Sequence, residues 1–427
     1  MHHVILGNGP AGVIAAETIR KLDPHAYITL VGDEAEPPYS RMAIPYLLVG
    51  NIKESVTYLR KDANHWALHR INMVNGRAEK VDAAKKTVTL KGGAVLAYDK
   101  LLIATGSNPS KAPIPGIDSP GVHSCWTMAD ARKIIAEVKP GSRVLQMGAG
   151  FIGCIIMESI AGRGAKLTVV EMGDRMVPRM MTEKAGGMIK HWVEAKGVKV
   201  YTNTKVEGIM AGMPMRVKLS SGEVLEADVV ISATGVRPAI GFLKDAGVKT
   251  NLGVVVNNNM QSSDANIFAA GDCAEALDFS TGKFAVNAIQ PNAADQARVA
   301  AAAMVGKSAA SEGSLALNVL DTLGLISTSF GQWWGEEAKN GGATAEVVDE
   351  KAYKYLSLQF KNDKLIGATS LGMTEHMGVV RGLIQSKVPL GEWKHRLMQN
   401  PLAVMDAYLE RGQAQASNAG LSGGRLR

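Results

Sequence analysis

Val4-Ile5-Leu6-Gly7-Asn8-Gly9-Pro10-Ala11-Gly12 decides the fold: an apolar strand runs into a G-x-G-x-x-G turn. An Ala/Ile-rich helix over 13–22 and a second strand over 27–31 follow, which together predict one βαβ unit. Gly7 permits the tight turn, Gly9 lets a pyrophosphate approach the backbone, and Gly12 lets helix and sheet pack closely. The N-terminus of the helix that follows adds N–H donors and positive potential. Asp33 lies about 20 residues beyond Gly12, where such a unit places its ribose ligand, and Glu34 is adjacent.

The same plan recurs further along. A helix over 128–138 and a strand over 143–147 lead into Gly148-Ala149-Gly150-Phe151-Ile152-Gly153, then a helix over 152–163 and a strand over 166–170. Here the acid is Glu171, directly after the strand. A carboxylate at that point accepts from a ribose 2′-OH and repels a 2′-phosphate, so NADH is expected over NADPH, while Arg175, four residues on, is a cation that tolerates a phosphate. Each half closes on Ala-Thr-Gly, at Ala104-Thr105-Gly106 and Ala233-Thr234-Gly235.

Between these landmarks, 36–51 reads as irregular, 71–74 and 87–90 as short strands, and 109–120 as a proline-rich linker. A helix is expected over 182–195 and strands over 229–232, 355–360 and 365–371, the last two in a separate C-terminal unit. The fold class is therefore α/β, with two Rossmann-like dinucleotide-binding domains and a C-terminal α+β domain. The Gly/Ser/Ala/Gln-rich residues 412–427 read as a flexible tail.

Composition narrows the function. Glycine makes up 46 of 427 residues, about 11% against about 7% in ordinary proteins, so many backbone positions need explaining. Three cysteines without a C-x-x-C pair and nine histidines without H-E-x-x-H spacing advertise neither a redox dithiol nor a metal site, and point to a reducing, cytoplasmic compartment. The net charge of +7 comes without a Lys/Arg block, which argues against nucleic acid. The most apolar later stretches, 300–305 and 315–329, are short or broken by Asp321, below the ~20 residues a membrane span requires.

The segment Ala265-Asn266-Ile267-Phe268-Ala269-Ala270-Gly271-Asp272-Cys273-Ala274 reads as a short buried strand ending in Gly-Asp. With the two glycine turns, the two Ala-Thr-Gly stops, Pro38-Tyr39-Ser40-Arg41 and Pro291-Asn292-Ala293-Ala294-Asp295-Gln296-Ala297-Arg298, nearly the whole chain resembles the pyridine-nucleotide-disulfide oxidoreductase superfamily. It is most similar to the branch of NADH oxidases, coenzyme A disulfide reductases, rubredoxin and ferredoxin reductases, apoptosis-inducing-factor-like proteins and the flavin domain of nitrite reductase.

That resemblance implies a discontinuous FAD domain (1–112 and 248–312), an NAD(H) domain (113–247) and an interface domain (313–411) that often mediates dimerisation. It assigns Gly7, Gly9, Pro10, Ala11, Gly12, Thr105, Gly106 and Gly271 to FAD, with Asp272 on the ribityl chain. Asp33 or Glu34 would meet the adenosine ribose, Arg41 the pyrophosphate region, and the Ala78 backbone the adenine. Gly148, Gly150, Phe151, Ile152, Gly153, Glu171 and Gly235 would hold NAD(H).

Departures from the family pattern shape the expected chemistry. Met42 stands where the disulfide reductases and NADH oxidases of the branch carry a redox cysteine, and a thioether cannot become a thiolate. Tyr46 replaces a lysine and Ile155 a glutamate near the nicotinamide; Glu158 is the nearest substitute acid. Met42, Tyr46, Ile155 and His376 are the candidates for lining the flavin, with His376 read either there or as a surface or packing residue. Trp333-Trp334 reads as a docking or subunit contact or as core.

The expected function is an FAD-dependent NAD(P)H oxidoreductase that passes electrons between NADH and an electron-carrier protein such as a ferredoxin, rubredoxin or other iron–sulfur subunit, through flavin N5. The alternatives are a flavin NADH oxidase or diaphorase using oxygen or a quinone, and, from another class, an FAD-retaining structural or assembly subunit.

Overall fold

A computed structural model describes residues 1–411; the tail expected over 412–427 lies outside the described residues. The first sheet is five-stranded and parallel, in the order Ile267–Ala269, Lys100–Ile103, His2–Leu6, Tyr27–Gly32, Ile71–Asn75. Val4, Ile5, Leu6, Leu101, Leu102 and Ile103 are buried because this sheet is covered on both faces, which is why its strands read as continuous apolar runs. The helix Pro10–Leu22 buries Val13, Ala15, Ala16 and Ile19 against it.

The second sheet repeats that design in the order Lys199–Tyr201, Lys166–Val170, Arg143–Met147, Val229–Ser232, Val122–Ser124, again all parallel. The duplication extends to a pair of three-stranded antiparallel sheets, Ala78–Asp82 with Thr87–Leu90 and Val95–Ala97, and Val206–Met210 with Met215–Leu219 and Val224–Ala227. The strands Ser107–Pro109 and Val236–Pro238, which follow the two Ala-Thr-Gly stops, pair with each other and join the two halves.

A five-stranded antiparallel sheet closes the chain: Leu317–Thr322, Leu325–Gly331, Lys364–Leu371, Lys354–Lys361, Gly342–Asp349. Its hydrophobic face packs on the helices Met377–Ser386 and Glu392–Gln399. Leu320, Leu325, Tyr355 and Leu371 join the buried cluster of the second nucleotide unit. The Thr182 hydroxyl donates to Tyr355 Oη at 3.0 Å, and Trp192 Nε1 donates to the Leu323 carbonyl at 3.1 Å.

Several sequence expectations need correction. The irregular stretch 36–51 contains a 3₁₀ turn, Arg41–Ala43, and a helix, Ile44–Val49, because Pro45 sits in the first helical turn, where its missing N–H costs nothing. The short buried strand expected before Gly271-Asp272 is present as Ile267–Ala269. The helix Gln290–Met304 went unread because its pattern is Ala-rich rather than strongly amphipathic.

Candidate functional site

The two glycine turns have the same construction. Gly7 (φ +107°) and Gly148 (φ +98°) adopt a backbone that L side chains rarely enter, and a Cβ there would lie 2.1 Å from the Ala104 carbonyl oxygen or 2.5 Å from that of Ala233. A Cβ on Gly12 would meet the Gly7 oxygen at 1.8 Å, and one on Gly153 the Gly148 oxygen at 2.4 Å. Gly9 and Gly150 are different: nothing lies within 4 Å of a Cβ added to either. Two glycines of each turn are thus required by the protein's own packing, while the middle one faces open space.

The helices that begin at these turns, Pro10–Leu22 and Phe151–Gly162, have no side-chain cap. By contrast, Thr127 caps Met128–Glu137 in a capping box with Asp130, and Thr182 caps Glu183–Ala195. Helix starts leave N–H groups that need acceptors, and here they stand free beside the open glycines. This arrangement fits a diphosphate at each turn.

Of the residues assigned to FAD, Gly7, Asp33, Glu34, Arg41, Ala78 and Thr105 line one cleft of about 850 Å³, together with Trp126, Ser107 and Phe242. That volume is typical of a cofactor site. Tyr39 Oη and Arg41 Nη2 each donate to a different Glu34 oxygen at 2.6 Å. Arg41 Nη1 also donates to the Trp126 carbonyl at 2.6 Å, and the Met128 N–H donates to Tyr39 Oη at 3.2 Å. Both Glu34 oxygens are thus bonded within the protein, while Asp33 is exposed at the cleft. Arg41 lines the same cleft, clamped between Glu34 and the Trp126 carbonyl of the second unit.

Asp272 sits where Ile267–Ala269 ends. Ser107 donates to its Oδ2 at 2.9 Å, while Trp126 Nε1 donates to the Ser107 carbonyl at 2.9 Å. Burial pushes the Asp272 carboxyl above its ordinary range, opposed by the Ser107 hydrogen bond and the Arg41 charge. The Gly271 N–H donates to buried Gln296 at 2.8 Å, and a Cβ on Gly271 would lie 3.4 Å from that of Ala11. The Gly271 turn thus rests on the start of the first helix, next to Pro10. Gly106 accepts from the Ala239 N–H, and Gly235 from that of Ser110.

In the second unit, Glu171 accepts the Ala149 N–H at 2.6 Å and the Gly173 N–H at 2.7 Å. Buried Gln146 donates to the Gly148 carbonyl at 2.9 Å, a contact that sequence reading did not find. Half-buried Phe151 and Ile152 pack on the core of this unit. Arg175 is already taken up: both Asp174 oxygens accept from Nη1 at 2.9 and 2.8 Å, and the Met181 carbonyl accepts from Nε at 3.0 Å.

Met42 and Tyr46 are large side chains left 50% and 59% exposed. Ile155 is near them through Ser159, whose Oγ lies 3.1 Å from the Pro45 carbonyl and 3.3 Å from that of Ile155. His376 is exposed, precedes the helix Met377–Ser386 at φ +62°, and has no hydrogen bond to these three. Glu158 is half-buried on the helix Phe151–Gly162, and burial and the nearby charge of Asp321, on the C-terminal sheet, raise its pKa. Trp334 is 58% exposed and meets Trp333 edge-on at 5.7 Å.

The cysteines are chemically quiet. Cys125, Cys154 and Cys273 are buried and unpaired, and burial pushes their thiols up to about 12, 12 and 11. Among the described residues no His/Cys/Asp/Glu cluster is placed to hold a metal, and no helix is long and apolar enough to cross a membrane.

Comparison with known proteins agrees with this construction. The chain is 32% identical over 409 residues to the NADH-dependent phenylglyoxylate dehydrogenase subunit epsilon of Aromatoleum evansii, covering 94% of this chain and 96% of the relative. It is 27% identical to the rubredoxin-NAD(+) reductase of Pseudomonas putida, over 90% of this chain and 98% of the relative. Its fold matches the reductase in the covalent putidaredoxin reductase–putidaredoxin complex, with a TM-score of 0.87 and 23% identity over 96% of this chain and 99% of that one. Residues 1–300 match the model of the pyridine nucleotide-disulphide oxidoreductase family, to which the chain therefore belongs.

Proposed function

We propose that the protein is an FAD-dependent NADH oxidoreductase that exchanges electrons with an iron–sulfur protein, as the flavin subunit of a larger dehydrogenase. One observation carries the reading: two glycine turns, each with its middle glycine open and its helix start uncapped, stand in a molecule whose three thiols are all buried. The relative named as a dehydrogenase subunit, aligned along almost its full length, supports the subunit role. In this reading 1–112 with 248–312 bind FAD, 113–247 bind NADH, and 313–411 form an interface domain through which two copies associate. The compartment is cytoplasmic.

In this reading Gly9 and the first helix start receive the FAD diphosphate, Asp33 the adenosine ribose, and Asp272, held by Ser107, the ribityl hydroxyls. Gly150 and its helix start receive the NADH diphosphate, and Glu171 presents a carboxylate already oriented by two backbone N–H groups. Bound FAD supplies the two-electron exchange with NADH and the one-electron exchange with a carrier. Met42, Tyr46 and Ile155 keep the reacting region apolar. With Met42 in the cysteine position and the native thiols protonated, no thiolate is available to relay electrons to a disulfide.

Stopped-flow mixing of the FAD-loaded protein with NADH tests this reading. Fast bleaching of the flavin absorption, followed by reoxidation on adding an iron–sulfur carrier, is expected. No bleaching over minutes refutes the oxidoreductase reading, and bleaching that only oxygen or a quinone reverses favours the oxidase alternative.

A further inference from the structure

Arg175 is the one cation in the loop between Glu171 and the helix Glu183–Ala195 that lies close to the expected ribose ligand in sequence and is also largely buried, with its side chain 22% exposed. In other settings an arginine here would bind a 2′-phosphate. Nε and one edge of its guanidinium are already bonded. Asp174 accepts from Nη1 through both oxygens, the Met181 carbonyl accepts from Nε, and the Pro178 carbonyl lies 3.4 Å from Nη2. The side chain also runs beneath Gly186, where an added Cβ would lie 2.9 Å from its Cδ, so the guanidinium cannot easily swing elsewhere.

Asp174 is held too. The N–H of Gly173, the residue before it, donates to Glu171, so the acid expected at the ribose and the acid that covers the arginine sit on one short arc. The loop thus carries two carboxylates within four residues and a guanidinium that is already paired with one of them.

We propose that Asp174 masks Arg175 as a latent 2′-phosphate receptor, so that the discrimination against NADPH rests on Asp174 as well as on Glu171. The inference rests on the reading of this unit as the NADH site. Removing Asp174 frees the Nη1 edge of the guanidinium, while Nε stays bonded to the Met181 carbonyl.

The test measures binding of NAD⁺ and NADP⁺ to the FAD-loaded protein by calorimetry, with adenosine 2′,5′-bisphosphate and adenosine 5′-phosphate as minimal probes. In Asp174→Ala the NADP⁺-to-NAD⁺ affinity ratio should rise about tenfold, and the bisphosphate should gain likewise. Asp174→Asn, which keeps the shape and removes the charge, should give a smaller gain in the same direction. The gain should vanish in Asp174→Ala/Arg175→Ala. An unchanged ratio in both single variants, or a gain that survives removal of Arg175, overturns the inference while leaving the NADH reading intact. Failure of the unaltered protein to bind NAD⁺ overturns the reading beneath it.

Discussion

Gly150→Ala is the sharpest test of how the second turn works, because its cost to the protein and its cost to the ligand separate. Gly150 has φ −73° and ψ −171°, which any residue adopts, and an added Cβ meets nothing within 4 Å. Restricting the unfolded chain favours alanine by about 0.4–1 kcal/mol. Alanine is the poorer residue at a helix N-cap, by about 0.5–1 kcal/mol. These effects cancel, so urea unfolding of the variant should stay within about 0.5 kcal/mol of the parent.

The ligand is affected differently. The new methyl occupies the space through which a diphosphate approaches the uncapped N–H groups. Loss of one hydrogen bond to a charged group, about 1.5–3 kcal/mol, weakens NAD⁺ by roughly 10- to 150-fold in calorimetric titration. Gly153→Ala should behave in the opposite way, because its Cβ would sit 2.4 Å from the Gly148 oxygen and 3.0 Å from Gln146 Nε2. Such overpacking against backbone destabilises the fold by about 1–3 kcal/mol or more. Parental NAD⁺ affinity in Gly150→Ala would show that the open side of Gly150 is not the phosphate cradle.

Three further outcomes are expected. His3 is fully buried with neither ring nitrogen hydrogen-bonded, and burial lowers its pKa from 6.5 to about 4. The unfolded chain therefore takes up a proton that the folded chain refuses, and stability is lost as pH falls from 6.5 to 4, by up to ~3 kcal/mol; His3→Leu should flatten that part of the pH–stability curve, and an unaltered slope refutes the assignment. Glu171→Ala strands the N–H groups of Ala149 and Gly173 and should cost about 1–3 kcal/mol in urea unfolding besides weakening NAD⁺, whereas unchanged stability would mean those bonds are replaced by water. The thiols of Cys125, Cys154 and Cys273 should resist alkylation at pH 8 until the chain unfolds, and rapid labelling of any one in the native protein contradicts its burial.

The parts of the molecule legible in sequence are those whose information is local. A G-x-G-x-x-G spacing encodes a close approach within six residues, so Gly7, Gly12, Gly148 and Gly153 were readable without knowing what surrounds them. Parallel strands buried on both faces read as unbroken apolar runs, and Arg143–Met147, Lys166–Val170 and Val229–Ser232 appear as expected. The helix Ile44–Val49 escapes a local reading, since a proline such as Pro45 marks the end of one element or the start of another according to its neighbours.

What the sequence by itself determined was the repeated plan, the two acids Asp33 and Glu171 at the strand ends, and, through Met42, the lack of a cysteine in the expected place. Only the tertiary structure decided which charged groups remain free to act. Glu34 and Arg41 neutralise each other and reach Trp126 across 85 residues, Asp272 is held by Ser107 across 165, and Arg175 is covered by its own neighbour. A side chain's charge is written in its residue type, but its availability depends on partners that the folded chain brings close, and most of those lie too far along the sequence for any local pattern to show.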